Sequence, residues 1–207
     1  MKRLLTLLFT LTACLSPIVS QTVSEAQAKQ QITTAARAIK TMQCDFVQTK
    51  HIKMLNEKMV SRGIACYQQA AQLRWQYQSP YSYTFILNGD KVQLKNGSRN
   101  DIIDVNRNKM FKEIARIMMN SIVGANLVDD QSFKVQMNTT GKEWTATLVP
   151  LRKEMKRMFQ QVVLHYHPQK SIVTQVELKE KNGDTTVIEL NNVRLNEKIR
   201  PDMFAIQ

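Results

Sequence analysis

Few side chains in this 207-residue chain have the type and spacing that catalysis or metal binding requires. Its three histidines are His51, His165 and His167, and no Gly-x-Ser-x-Gly turn accompanies them, so the sequence does not indicate a serine hydrolase. His165 and His167 lie on one face of a predicted strand, a spacing that can chelate a metal. Because no third ligand stands near them, we interpret them as a solvated pair beside the Pro168 turn. An envelope hydrolase acting through His51 or His165 is the remaining enzymatic alternative.

The other polar motifs offer no stronger chemistry. Asp129 and Asp130 are interpreted as a loop charge pair, because adjacent carboxylates in a strand or loop usually point apart. The chain contains no glycine-rich phosphate loop. The sequence therefore predicts a protein that is not an enzyme and that holds neither a metal nor a cofactor.

Two cysteines, Cys44 and Cys66, lie on consecutive predicted strands. Opposed positions on paired antiparallel strands are close enough for a disulfide, and an exported chain meets an oxidising compartment. The sequence does not fix the register of the two strands. A Cys44–Cys66 disulfide and two buried thiols therefore both remain open.

The N-terminus has the pattern of a secretion signal. Lys2 and Arg3 precede an apolar run, residues 4–13, that is too short to span a bilayer. We predict that residues 1–20 are a signal peptide and that residues 21–207 form a single domain. In a competing interpretation Leu11-Thr12-Ala13-Cys14 is a lipobox, and Cys14 would carry a lipid anchor.

The hydrophobic pattern changes from helical to strand periodicity near Met42. Residues 22–41 predict an amphipathic helix that begins with the capping box Thr22-Val23-Ser24-Glu25, and residues 107–123 predict a second helix ended by Gly124. Asn88-Gly89 and Asn182-Gly183 are hairpin turns. The predicted strands are 43–54, 59–68, 71–78, 82–88, 90–95, 132–138, 142–149, 160–167, 171–179 and 185–193.

These elements predict an α+β fold. Strands joined by short turns must pair in antiparallel fashion, and one large curled sheet leaves a concave face that two or three helices can cover. Eleven methionines include a group on the second predicted helix. They are interpreted either as ordinary core residues or as an adaptable apolar surface, because thioethers are flexible and polarizable.

The chain is basic, with a formal net charge of +12. An exported basic protein can meet anionic lipid or an acidic partner, whereas the absence of nucleic-acid-binding motifs argues against nucleic acid. The densest basic stretch follows Pro150 and contains Arg152, Lys153, Lys156 and Arg157. We expect it to form an exposed loop or short helix that docks a partner. A solvated loop without a partner explains the same charges.

The strand around Trp75 has two different faces. Leu73, Trp75 and Tyr77 share one face, and Arg74 and Gln76 share the other. This alternation is typical of any half-buried strand.

The order of motifs around this strand resembles the periplasmic outer-membrane lipoprotein carrier family of the LolA type. The resemblance spans most of the chain after residue 20, and Asp202-Met203-Phe204 is similar to the family's ending. The motifs that carry it are Phe46-x-Gln48, a lone Gly63, Arg74-Trp75-x-Tyr77-x-x-Pro80 and Asn88-Gly89-Asp90.

The resemblance implies a periplasmic, monomeric carrier. Its fold would be an incomplete β-barrel of about eleven antiparallel strands that is capped by helices and encloses an apolar cavity. Its partners would be acylated lipoproteins, an inner-membrane lipoprotein-releasing transporter and an outer-membrane acceptor. The alternative within this fold is a carrier or envelope sensor that binds another lipid or a glycolipid.

The resemblance also assigns roles to residues. The expected cavity wall contains Phe46, Trp75, Tyr77, Phe85, Leu87, Ile114 and Met118. In the family's best-studied branch an Arg-Pro pair stands six and five residues before the Trp, and that Arg hydrogen-bonds the lid helices. Here those positions are Gln69 and Ala70. Gln69 and Arg74 are therefore the candidates for hydrogen bonding to a lid.

Overall fold

The computed structural model describes residues 23–107, 116–121, 123, 127 and 131–207. The predicted signal, Gly124, the Asp129-Asp130 pair and Ile114 lie outside these residues. The described part contains an 11-stranded antiparallel sheet. Its strands are β1 Thr41–Ile52, β2 Glu57–Gln68, β3 Gln72–Ser79, β4 Tyr83–Asn88, β5 Lys91–Asn96, β6 Arg99–Asp104, β7 Phe133–Asn138, β8 Trp144–Pro150, β9 Phe159–His167, β10 Ile172–Glu180 and β11 Thr185–Leu195.

The sheet follows chain order except at one place. The strands lie in the order β6-β5-β4-β3-β2-β1-β11-β10-β9-β8-β7, so the last strand pairs with the first. The free edges are β6 and β7, which are consecutive in the chain, and residues 105–132 connect them. The sheet therefore curls toward a barrel without closing, and the predicted fold class is confirmed.

Ten of the strands agree with the predicted segments, and β6 was missed. Its sequence, Arg-Asn-Asp-Ile-Ile-Asp, lacks the alternation of polar and apolar residues that identifies a half-buried strand. It forms because the turn at Gly97, whose φ is +58°, brings it back along β5. A glycine adopts this left-handed conformation without the steric cost that a Cβ brings.

The inner face of the sheet carries the large hydrophobic core. Phe46, Leu73, Leu164 and Tyr166 are fully buried there. Helix α1 (Glu25–Ala38) packs against β7 and β10 through small and branched side chains, with Ala28, Ile32 and Ala36 buried.

Helix α1 begins three residues later than predicted. Its capping box uses Ser24 and Gln27 rather than Thr22 and Glu25. The Gln27 backbone N–H donates to Ser24 Oγ at 3.2 Å, and the Ser24 N–H donates to Gln27 Oε1 at 3.0 Å. Both residue pairs fit the spacing of the motif, and the folded chain uses the second.

The C-terminal segment, residues 197–207, crosses the outer face, and we call it the C-terminal strap. It contains a short 3-10 helix, Pro201–Phe204, whose Phe204 is buried with Ile199 against Cys66. The Asn88 side-chain amide donates to the Phe204 carbonyl at 3.1 Å, and the Gln93 amide donates to the Gln207 carbonyl at 2.7 Å. The hydrogen bonds of the strap thus extend across the sheet from β1 to β6.

Antiparallel strands place their connections alternately at two rims of the sheet. We call the upper rim the one that contains the β1–β2 turn. The upper rim also contains the β3–β4, β5–β6, β8–β9 and β10–β11 connections. The β8–β9 connection includes helix α2 (Lys153–Met158). Among the described residues, no helix is long and apolar enough to cross a bilayer.

Candidate functional site

A cavity of about 240 Å³ lies between the inner face of the sheet and the helical segments that cover its upper half. Among the described residues that line it, nearly all are apolar, and Gln48 and Ser121 are the polar exceptions. The remaining lining residues are Trp75, Tyr77, Ile117, Met118, Met155, Met158, Phe159, Val176, Leu178, Ile188 and Leu190. The cavity can accept hydrocarbon and offers few groups that hydrogen-bond water.

One wall of the cavity is a cluster of aromatic rings. Phe46 stacks on Trp75 with ring centroids 4.2 Å apart, and the Tyr77 ring meets Phe46 edge-on at 5.2 Å. The Tyr77 hydroxyl donates to Gln48 Oε1 at 2.9 Å, and burial raises the pKa of this phenol. The wall therefore stays uncharged at neutral pH. The Tyr77 hydroxyl and the Gln48 side chain meet part of each other's hydrogen-bonding capacity.

Gly63 leaves the space that this wall needs. It lies opposite Phe46 in the register of β1 and β2, and the Phe46 ring covers it. An added Cβ would lie 2.6 Å from Phe46 Cζ and would collide with the carbonyl oxygen of Gln76 on β3. The motif glycine therefore lets an aromatic ring lie flat on the sheet.

Two helical parts of the chain cover the cavity among the described residues. Met155 of α2 is 1% exposed, and Met158 and Phe159 continue the apolar surface into β9. A helical segment at residues 116–121 contributes Ile117 and Met118. Flexible thioethers on both segments can repack around a ligand with little loss of contact.

An ion-pair cluster bounds the cavity at the upper rim. Lys50 lies two residues beyond Gln48 on the same strand face, and its Nζ is 2.8 Å from Glu180 Oε1 and 3.5 Å from Asp184 Oδ2. The hydrogen bond to Glu180 raises the pKa of Lys50. The Lys53 backbone N–H holds the pKa of Asp184 below its usual value. The apolar cavity thus ends at a charged border.

The predicted cavity residues divide into two groups. Trp75, Tyr77 and Met118 line the cavity. Phe46, Phe85 and Leu87 are buried in the same core, where they pack behind the lining. The sequence reasoning missed the opposite wall, which comes from β10 and β11, although both strands show period-two alternation. Only the pairing of β11 with β1 brings that wall to face Trp75.

The two candidate lid residues lie elsewhere. Arg74 faces the outer side, where its Nη1 donates to the Met203 carbonyl of the C-terminal strap at 3.2 Å and its Nε to Gln76 Oε1 at 3.0 Å. The expected lid contact of Arg74 is therefore wrong, since the alternation that points Trp75 inward points Arg74 outward. Gln69 is exposed in the β2–β3 turn, and its Oε1 accepts from Lys40 Nζ at 3.2 Å, just beyond the end of α1.

The suggested Cys44–Cys66 disulfide is wrong, because both thiols are free. Cys44 pairs with Ala65, and Cys66 pairs with Gln43. This offset of one residue sends the two side chains to opposite faces of the sheet. Burial, the nearby Cys66 and Asp45 raise the pKa of the Cys44 thiol to about 12, so it is a poor nucleophile.

The two histidines were expected to be solvated, and both are only partly exposed. His165 Nδ1 lies 2.9 Å from Glu143 Oε1, while His165 Nε2 and His167 Nδ1 are buried without a hydrogen-bond partner. Within the described residues, no group of three or more His, Cys, Asp or Glu side chains is arranged to hold a metal ion.

The basic stretch forms helix α2 beside the cavity. Its Met155 points into the core, and Lys153, Lys156 and Arg157 are exposed. Arg152 is half-buried at the N-cap. One face of this short helix is therefore basic and exposed, and the other is apolar and covers the cavity.

Comparison with known proteins agrees with this arrangement. Residues 37–207 match the family described as outer membrane lipoprotein carrier protein LolA. The chain belongs to this family. An outer-membrane lipoprotein carrier protein from Nitrosospira multiformis is 23% identical over 166 residues, which are 80% of this chain and 77% of that protein.

Two solved structures show that the fold extends to distant sequences. An uncharacterized conserved protein from Thermus thermophilus has a TM-score of 0.53 at 8% identity, covering 87% of this chain and 93% of its own. The MucA/MucB complex structure of Pseudomonas aeruginosa has a TM-score of 0.52 at 9% identity, covering 86% of this chain and 60% of the other. The resemblance to the LolA family is thus confirmed, and the fold is that of a lipoprotein carrier family.

Proposed function

We propose that this protein shields the acyl chains of lipoproteins in its cavity and carries them through the periplasm, from an inner-membrane releasing transporter to an outer-membrane acceptor. The observation that carries the proposal is the almost wholly apolar cavity between Trp75 and the Ile188–Leu190 wall. Each methylene group removed from water contributes about 0.8 kcal/mol, so acyl chains do not cross an aqueous compartment unshielded.

We take the cavity as the closed state of the proposed carrier. Its 240 Å³ is below the ~300–1,000 Å³ of typical ligand pockets, so cargo with several chains requires the covering segments to move apart. The described parts of these segments contact the cavity through Met118, Met155 and Met158. In the proposed cycle the cargo displaces them, and their return to the sheet favours release.

The cargo is best identified by native mass spectrometry of the protein purified from its own envelope. Bound acylated lipoprotein, or its lipidated N-terminal peptide, is the expected result. Bound glycolipid or phospholipid would instead identify a carrier or sensor for another lipid. A cavity that retains no acylated molecule and binds no fluorescent fatty-acid probe would contradict the proposal.

Filling the cavity tests the assigned site directly. Val176→Trp places a large side chain among the lining residues, and we expect it to weaken acyl-probe binding about tenfold or more, because the space for about one chain is lost. Ile102→Trp, at an exposed position on β6, is the matched control. Equal probe affinity in the two variants would show that the acyl chain binds elsewhere.

The exposed face of α2 is proposed to dock on an acidic partner or an anionic membrane surface. Reversing Arg152, Lys153, Lys156 and Arg157 to Glu should abolish docking and leave acyl binding intact, and docking of the parent should weaken as ionic strength rises. Reversal of Lys142 and Lys170, at the opposite rim, controls for net charge. If the α2 variant delivers cargo as well as the parent does, α2 is not a docking element.

A further inference from the structure

The exposed apolar side chains of this protein are concentrated at one rim. In the part of the chain that the structure describes, eight large hydrophobic residues are exposed, and only Ile102 is away from the upper rim. The other seven are Met54, Leu55, Met59, Val60, Tyr81, Val149 and Leu151. Apolar residues scattered singly are ordinary on a protein surface, whereas their concentration at one site indicates binding.

Four of these residues belong to the β1–β2 hairpin, which projects beyond its neighbour. The pairing of β2 with β3 ends at Arg62 opposite Ser79, although β2 begins five residues earlier, at Glu57. Burial changes along β2 accordingly, from buried Gly63, Ala65 and Cys66 to a fully exposed start of the strand. We call residues 52–60 the hairpin tip.

The hairpin tip is an ordered turn that presents its apolar residues outward. Met54 is 89% exposed and Leu55 is 55% exposed. The Leu55 N–H donates to the Ile52 carbonyl at 3.2 Å, and the Lys53 N–H donates to Asp184 Oδ1 at 3.0 Å, which ties the tip to the β10–β11 turn. The two apolar side chains therefore protrude from a fixed base.

Basic residues outnumber acidic ones around these apolar residues, since Glu180 and Asp184 of the same rim are paired with Lys50. Lys53 and Lys58 flank Met54 and Leu55 in the chain, with Glu57 as the acidic residue of the tip. The next upper-rim connections add Lys181 and the exposed face of α2. Lysine stems can lie along apolar surface while their ammonium groups reach outward, an arrangement suited to the boundary of an anionic bilayer.

We infer that the hairpin tip inserts Met54 and Leu55 into the interfacial region of an anionic lipid bilayer and so docks the upper rim on the membrane. A narrow convex tip with unbranched and γ-branched side chains enters a fluid interface readily. A stable protein interface buries about 1,200–2,000 Å² in total, which demands a broader surface. In the docked orientation the exposed face of α2, whose other face covers the cavity, lies beside the lipid. Delivery of an acyl chain by this route rests on the proposed function, whereas membrane binding does not.

Vesicle flotation of the purified protein tests the inference. We expect the parent to float with vesicles of phosphatidylcholine and phosphatidylglycerol, and to bind more weakly to phosphatidylcholine alone or at high salt. Met54→Ser/Leu55→Ser should lower binding to the anionic vesicles about tenfold or more, because two side chains lose their burial. Ile102→Ser, at a position with 53% exposure on β6, should bind as the parent does.

A fluorescent label reports insertion without depending on the serine variant. A nitrobenzoxadiazole group on Met54→Cys should shift its emission to shorter wavelength with anionic vesicles, and the buried Cys44 and Cys66 react slowly under the same labelling conditions. The inference is overturned if the parent does not float, if Met54→Ser/Leu55→Ser floats equally well, or if the label shows no shift.

Acyl-probe binding, measured on the same proteins, separates the two proposals. A parent that floats through its hairpin tip but binds no acyl probe would leave this inference standing and overturn the carrier. A parent that binds the acyl probe but does not float would overturn this inference and leave the carrier standing.

Discussion

Replacing Gly63 with alanine is expected to destabilise the sheet and to displace the aromatic wall of the cavity. A Cβ at this position would lie 2.6 and 2.8 Å from two carbons of the Phe46 ring and would overlap the Gln76 carbonyl oxygen. The ring is not free to move away, because it stacks on Trp75 at 4.2 Å. The Gln76 oxygen is part of the β2–β3 ladder, so relief there requires a shift of the backbone.

The expected cost follows from two opposing effects. Overpacking of a filled site typically destabilises a protein by about 1–3 kcal/mol. Loss of glycine's freedom in the unfolded chain returns about 0.4–1 kcal/mol. Because one of the colliding atoms is backbone, we place the net loss at about 2 kcal/mol. A chain of this length loses about 2–4 °C in Tm for each kcal/mol, so the Tm should fall by about 4–8 °C.

Urea unfolding followed by tryptophan fluorescence measures the loss, and an acyl probe measures the state of the cavity. Gly97→Ala is the matched control, since Gly97 also occupies the sheet region but a Cβ there meets no atom within 4 Å. It should cost about 1 kcal/mol through its left-handed backbone and leave probe affinity unchanged.

A double-mutant cycle with Phe46→Leu should show coupling of at least about 0.5 kcal/mol, because the shorter side chain relieves the ring contact. Unchanged stability of Gly63→Ala, or a loss no larger than that of Gly97→Ala, would refute the packing argument.

Three further predictions concern other parts of the fold. Iodoacetamide without reductant should modify Cys44 and Cys66 only after unfolding, as read by peptide mass; a mass that corresponds to a linked pair would contradict the register of β1 and β2. Lys50→Met should destabilise the protein most between about pH 4 and 10.5. The pKa of Lys50 is raised in the folded protein, so its contribution to stability fades as the pH rises above the pKa of the free side chain. The pKa of Asp184 is lowered in the folded protein, so the contribution of Asp184 to stability fades in acid. Urea midpoints across pH measure this, and an equal loss at pH 3 and pH 7 would contradict it. Phe204→Ala should cost about 3–5 kcal/mol in urea unfolding, since this ring of the C-terminal strap is 1% exposed against the outer face of the sheet, whereas Asp202→Ala in the same strap should be nearly neutral. Similar values for the two would show that the strap is not anchored by Phe204.

The motif around Trp75 shows which features follow from the local sequence and which depend on tertiary structure. Alternation along β3 places Trp75 and Tyr77 on one face and Arg74 on the other, which is a property of any strand. What each face meets depends on distant segments. The inner residues meet Gln48 and the β10–β11 wall, and Arg74 meets the C-terminal strap, which is 129 residues away in the chain.

The cysteine pair and strand β6 differ from the prediction for the same reason. Cys44 and Cys66 lie on neighbouring strands as predicted, and a single step in register decides that they cannot meet. Strand β6 lacks an apolar pattern because it is a free edge whose outer residues face solvent. Neither register nor the position of a strand in the sheet is encoded in the few residues around it.

The sequence by itself determined the family, the antiparallel meander and the turns, because alternation, turn glycines and the Arg-Trp-x-Tyr motif act over a few residues. Tertiary structure alone decided the pairing of β1 with β11, the second wall of the cavity and the projection of the hairpin tip. These features depend on contacts between residues more than 100 positions apart or on where a neighbouring strand ends. Such contacts form only when the whole sheet curls and buries its inner face, so no local pattern specifies them.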